Sequence, residues 1–149
     1  MLIDLDPLLG PDLLAALRAM GHGDEIALVD ANFPAAARAV RLVRCDGHPI
    51  TRVLRAVLSV LPLDDFDGAA FSMAVVDEPE AVPEAVADMA KILRAQGHAG
   101  PIEAIERHAF YDRAAACFVI VATGETRLYG NLILRKGVIR ASTPNGVEA

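Results

Sequence analysis

The run Cys117-Phe118-Val119-Ile120-Val121-Ala122 is apolar at every position. A short stretch of this kind can bury both faces only inside a sheet that is itself covered on both sides. Glu25-Ile26-Ala27-Leu28-Val29-Asp30 is a second β-prone run, closed by an acid, and Asn32-Phe33-Pro34 is expected to end regular structure after it. Between these runs the hydrophobic period changes to that of a helix. Residues 11–20 have proline at the tolerated first position, Leu13, Leu14 and Leu17 on one face, and Gly21 as the expected left-handed stop. Residues 49–61 carry Val53, Leu54, Val57, Leu58 and Leu61 at helical spacing, and residues 83–96 again open on proline and stop at Gly97. Residues 109–116 read as a short helix, and residues 39–44, 69–76, 101–106 and 131–134 as strands. The alternation predicts an α/β fold: one three-layer α/β/α domain over residues 1–149, with a mixed, mostly parallel sheet. Only the first few residues and the tail 141–149 read as loose ends.

Charge and composition narrow the partners. Fourteen Lys+Arg against 20 Asp+Glu give a net charge of −6, without a basic cluster. Such a chain lacks the surface that releases counterions from nucleic acid, and an anionic membrane would repel it. At 54% hydrophobic and 23% charged it has ample apolar surface for a core, which argues against disorder. Its longest apolar stretch, residues 53–63, is interrupted by Arg55 and Pro62 and falls far short of the roughly 20 residues a bilayer requires. Two cysteines and no basic segment ahead of an apolar one make a reducing cytoplasm the expected location.

Common catalytic signatures are missing. His22, Asp24, Glu25 and Asp30 can be drawn as a nitrogen-and-oxygen ligand set, but none of the established metal-binding spacings occurs, so no metal is expected. Gly21-His22-Gly23 follows a helix instead of a strand, the wrong context for a dinucleotide loop. No nucleophile elbow is present, and Cys45 and Cys117 sit in apolar surroundings that keep a thiol protonated. Of the four histidines, His48 and His98 lie in loops and read as solvated turn residues. His108 follows Arg107 at a strand-to-helix junction and reads as a helix cap, while Arg113 reads as solvated. His22, between two glycines, reads equally well as an exposed hinge residue or as a functional imidazole. The polar loop 123–131 joins two apolar strands. Its Tyr129 offers a hydroxyl and a flat ring, Asn131 a paired donor and acceptor, and Gly130 room for close backbone approach, a mixture suited to a neutral polyol.

Four segments in order, Met20-Gly21-His22-Gly23-Asp24-Glu25-Ile26, Asp30-Ala31-Asn32-Phe33-Pro34, Arg107-His108-Ala109-Phe110-Tyr111, and Ala122-Thr123-Gly124-Glu125 running into residues 128–138, make the chain resemble the ribose pyranase and L-fucose mutarotase family, closest to its fucose branch. The resemblance covers nearly the whole chain. It implies an enzyme that interconverts the α and β anomers of a free sugar, with His22 as proton donor and Asp30, Arg107, Tyr129, Gly130 and Asn131 holding the sugar. It also implies a ring-like homo-oligomer, a decamer in known members, and no metal or organic cofactor. Asn32 and His108 depart from the fucose pattern, and His108 keeps a ribose-type substrate open. A non-catalytic sugar-binding or regulatory oligomer is the other class of function.

Anomer exchange needs only proton transfers around a ring C–O bond, which fits a chain without an evident nucleophile. One spacing creates a difficulty. Eight positions separate His22 from Asp30, and an extended chain of that length spans roughly 26 Å, longer than a hexose. Either the glycine turn folds His22 back towards the strand, or a neighbouring subunit supplies part of each site.

Overall fold

The computed structural model describes residues 1–66 and 68–141. Beyond Ala141 the tail expected to be loose lies outside the described residues.

Helix α1 (Pro11–Ala19) begins at its proline and buries Leu13, Ala16 and Leu17. It ends differently from expectation. Met20, not Gly21, breaks the helix by turning to ψ 136°, and the left-handed residue is Gly23, with φ 86°. The chain then enters β1 (Glu25–Val29), and after the Asn32-Phe33-Pro34 turn it makes one unexpected helical turn, α2 (Ala35–Arg38). Ala39 donates its N–H to Ala35, so β2 (Leu42–Cys45) starts three residues later than the sequence suggests. Helix α3 (Ile50–Leu58), β3 (Ala70–Met73), α4 (Glu84–Ala95) and β4 (Glu103–Ile105) follow as expected within a few residues. Helix α5 (Arg107–Ala116) starts two residues earlier than predicted. Its cap is Glu106, whose carboxylate accepts the Ala109 N–H at 3.0 Å, and His108 is left exposed instead of capping. Strands β5 (Val119–Thr123) and β6 (Leu132–Arg135) complete the chain.

The strands form one sheet in the order β2-β5-β1-β6-β3-β4. All pair in parallel except β6, which runs antiparallel between β1 and β3. Side chains alternate faces with the period of two that a pleated strand imposes. Ile26, Leu28, Val119, Val121, Leu132 and Leu134 pack with α1, α3 and α4 on one face. Ala27, Val29, Ile120, Ala122 and Ile133 pack with Phe33, Phe110 and Ala114 on the other. The sheet is therefore covered twice, and each fully buried Leu, Ile or Val stabilises the fold by about 1.5–3 kcal/mol. Arg113, expected to be solvated, instead lies 3.6 Å over the Phe71 ring and pairs with Glu25 at 2.6 Å. Residue 25 begins β1, so this pair fastens α5 onto its face of the sheet.

Candidate active site

Because five strands point one way and β6 returns, the ends of β1, β3 and β4 and the β5–β6 loop share the carboxyl edge of the sheet. Ligands in open α/β sheets bind outside this edge. Here it forms an open hollow of about 190 Å³, lined by Asp30, Asn32, Arg107, Tyr129 and Asn131 on the polar side and by Phe33, Met73, Tyr111 and Leu128 on the apolar side.

Asp30 and Asn131, 101 residues apart, grip each other reciprocally. The Asp30 backbone N–H donates to Asn131 Oδ1 at 2.9 Å, and Asn131 Nδ2 donates to Asp30 Oδ2 at 3.0 Å. Asp30 Oδ1 takes the Asn32 N–H at 2.9 Å. Each carboxylate oxygen thus holds a donor within the protein, the Phe33 N–H adds a third, and the acceptor capacity left over, out of about four lone-pair sites, can take a ligand hydroxyl. Burial pushes the Asp30 carboxyl above the ordinary aspartate value, against the opposing pull of the Asn32 and Asn131 donors.

The β5–β6 loop is braced from behind. Glu125 is buried, and its carboxylate receives both Nε and Nη2 of Arg127, at 3.0 and 3.1 Å. Arg127 reaches on to Asp88 of α4 at 2.8 Å. The Glu125 carbonyl accepts the Ala31 N–H at 2.8 Å, tying this loop to the segment after β1. Gly130 is where the loop closes: a Cβ there would lie 2.7 Å from Glu125 Cγ and 3.2 Å from the Arg127 carbonyl. The glycine is needed for this packing, and it is not among the residues lining the hollow. Tyr129 beside it holds φ 59°, a conformation that costs a non-glycine residue of order 1–3 kcal/mol and persists where its surroundings enforce it. Its hydroxyl accepts the Val76 N–H at 3.3 Å, which leaves the phenolic proton free to donate.

Arg107 stands at the first turn of α5, exposed at the rim of the hollow. Its guanidinium makes no hydrogen bond or ion pair among the described residues, so its donors face whatever enters.

His22 is not with them. It lies at the opposite edge, before the start of β1, a strand roughly 17 Å long. There its Nε2 is 3.4 Å from Asp64 Oδ1, and its ring is 5.8 Å from Phe66. The glycine turn does not fold it back. A cavity of about 440 Å³ opens on this edge, bounded by Asp64, Asp65, Leu93 and residues 97–101. The grouping of three acids and an imidazole drawn from the sequence is dispersed as well: Glu25 binds Arg113, and Asp24 caps the Gly21 N–H.

Residues 3–139 match the RbsD / FucU transport protein family. The chain belongs to that family. Among relatives of this RbsD / FucU chain, human fucose mutarotase is 46% identical over 139 residues, 89% of this chain and 90% of its own. The structure of the fucose mutarotase of Streptococcus pneumoniae in complex with L-fucose superposes with a TM-score of 0.85 at 40% identity, over 93% of this chain and all of that one. Bacillus subtilis RbsD complexed with D-ribose shares the fold, with a TM-score of 0.68 at 19% identity, over 89% of this chain and 95% of its own.

Four of the six residues that the family resemblance implied, Asp30, Arg107, Tyr129 and Asn131, converge on the hollow, Gly130 packs behind it, and His22 stands apart. Sequence reasoning assigned no role to Phe33, Met73, Tyr111 or Leu128, which wall the hollow, nor to Asp64 and Phe66 beside His22. Phe33, Tyr111 and Leu128 lie within the quoted segments, a usable signal. Asp64 is 42 residues from His22 and carried none.

Proposed function

We propose that this RbsD / FucU family member is a sugar mutarotase, an isomerase that interconverts the α and β anomers of L-fucose without a metal or organic cofactor. The convergence of Asp30, Arg107, Tyr129 and Asn131 on one hollow carries the reading, and the similarity to fucose mutarotases over nine-tenths of the chain supports it.

In the reaction a proton is delivered to the ring oxygen while another leaves the anomeric hydroxyl. The C1–O5 bond opens to the aldehyde, which rotates about C1–C2 and closes on its other face by the reverse transfers. His22 serves as the proton donor, and Asp30 accepts from sugar hydroxyls through the acceptor capacity its internal bonds leave over. Arg107 and the Tyr129 hydroxyl donate to the sugar, Asn131 holds Asp30 in register, and Gly130 lets the loop close. A positioned acid/base supplies about 10²- to 10⁴-fold, or roughly 3–5.5 kcal/mol of barrier, which suffices for a reaction that already proceeds in water.

Since His22 and Asp30 occupy opposite edges of one subunit, each site joins the Asp30 hollow of one subunit to the His22 edge of its neighbour. Such a head-to-tail contact generates a ring where its rotation closes. The assembly is a homodecamer, each subunit a single domain, and it works in the cytoplasm.

Exchange NMR on the anomeric protons of L-fucose, ribose and galactose tests the activity and the sugar. Faster exchange with L-fucose, abolished by His22→Ala and weakened less by Tyr129→Phe, is the expected result. Binding at the buffer exchange rate overturns the enzyme in favour of a non-catalytic binding oligomer, and faster exchange with ribose alone makes it a ribose-type pyranase. Mixing unfolded His22→Ala and Asp30→Ala subunits and refolding them together recovers about a quarter of wild-type activity if sites are shared around a ring, and none if each subunit holds a whole site.

A further inference from the structure

We propose that Asp64 is the positioning residue of His22, fixing the imidazole with its proton on Nε2 so that Nδ1 is the nitrogen that exchanges protons with the sugar. This rests on the reading of His22 as the proton donor and goes beyond it by naming the partner and the nitrogen.

The argument begins with hydrogen-bond capacity. An ionised carboxylate only accepts, so a contact between Asp64 Oδ1 and His22 Nε2 requires the hydrogen to be on Nε2. In the neutral imidazole the lone pair then lies on Nδ1. Asp64 is ionised near neutrality, since the Phe66 N–H, which donates to the same Oδ1 at 3.1 Å, holds its carboxyl below the ordinary range, with His22 adding to that. The 3.4 Å contact is long for such a bond, as catalytic contacts are before a substrate tightens them. Among the described residues nothing bonds to Nδ1, and the His22 side chain is 47% exposed, so that nitrogen is open to an incoming sugar.

Both partners are built on one frame. Arg135 accepts the Asp64 N–H at 3.0 Å, and the next carbonyl, that of Lys136, accepts the Gly23 N–H at 2.8 Å. Lys136 in turn donates its N–H to Asp24. Residue 137 has no room for a side chain: a Cβ on Gly137 would collide with the Leu63 carbonyl and stand 2.8 Å from Asp64 N. The end of β6 therefore sets the distance between carboxylate and imidazole, and the Phe66 ring closes one side of the pair. The Asp64 side chain is only 5% exposed, a burial that a merely solvating acid would not need.

The test uses the full-length protein labelled with ¹⁵N-histidine, observed by long-range ¹H–¹⁵N correlation above the imidazole titration, alongside anomer-exchange kinetics. Wild type is expected to show His22 as the Nε2–H tautomer. Asp64→Ala is expected to give a tautomer mixture and a kcat lower by about 10-fold or more with KM changed less than about twofold. In Asp64→Asn the Phe66 N–H still demands an acceptor, so Oδ1 stays in place, the tautomer is kept and most of the kcat returns. A Nδ1–H tautomer in wild type overturns the proposal, as does an Asp64→Ala protein with unchanged tautomer or unchanged kcat. The histidine spectrum itself reports whether each variant is folded. If His22→Ala leaves exchange intact, the reading of His22 as proton donor fails, whereas the tautomer measurement still decides whether Asp64 orients the ring.

Discussion

Removing the Asn131 side chain should damage stability and sugar binding together, and by an amount that can be worked out. Asp30 is 6% exposed and Asn131 2%, so water does not readily replace what is lost. Asn131→Ala strips the acceptor from the Asp30 backbone N–H and the donor from the Asp30 carboxylate. An orphaned buried N–H costs about 1–3 kcal/mol and a hydrogen bond to a charged group contributes about 1.5–3, so the variant should lose about 2.5–6 kcal/mol. For a chain of this length that is a fall in Tm of roughly 5–24 °C. Of those two bonds Asp30→Ala removes only the second, and it also strips the acceptor from the Asn32 N–H and relieves the burial of a charge. A double-mutant cycle cancels that relief and isolates the Nδ2–H···Oδ2 contact, with an expected coupling of about 1.5–3 kcal/mol. The measurement is urea unfolding of wild type, both single variants and the double variant at one protomer concentration, which holds the assembly term fixed. A coupling under about 0.5 kcal/mol would refute the reasoning, for the two residues would then be neighbours without a joint role.

Other outcomes are expected on independent grounds. Sugar binding needs the Asp30 carboxylate as an acceptor and burial raises its pKa, so KM should climb on acidification at a pH above the ordinary aspartate value of about 3.9; a KM flat down to that value argues against the role. Burial pushes the Cys117 thiol from 9.0 up to about 12, so the folded state keeps its proton while the unfolded chain loses it. That stabilisation is complete below about pH 9 and fades as pH rises towards 12, and alkaline urea titrations of Cys117→Ala should show a shallower decline than wild type. Arg127→Ala frees the brace behind Tyr129 and should lower kcat/KM at least about tenfold, as a displaced positioning group does, with recovery by Lys incomplete because Lys cannot span Glu125 and Asp88 with one rigid fork.

The sheet was legible from residues 25–30 and 117–122 because strands buried on both faces admit few alternatives, and the proline-opened helices declared their own starts. The single turn α2 was not, since four residues of Ala-Ala-Ala-Arg carry no period of their own and are held by what they pack on. Arg113 misled for a related reason. Its ordinary setting on a helix surface is solvent, and only the tertiary approach of Glu25 and Phe71 gives it partners. At the site, the residues that a ligand would touch stood in recognisable segments, whereas their supports did not. Asp64 and Arg127 act through distances that no local spacing encodes, and the separation of His22 from Asp30 was visible as a problem of chain length before the structure gave it a place.

Strand β6, the one reversed member of the sheet, starts immediately after Asn131 and ends immediately before Lys136 and Gly137. Four residues thus link the clasp on Asp30 to the frame that spaces His22 from Asp64. Slippage of this strand by one position would turn every side chain over and spoil both ends in a single step. The interval between the clasp and the frame is consequently as rigid as a row of hydrogen bonds, and neither end can drift alone.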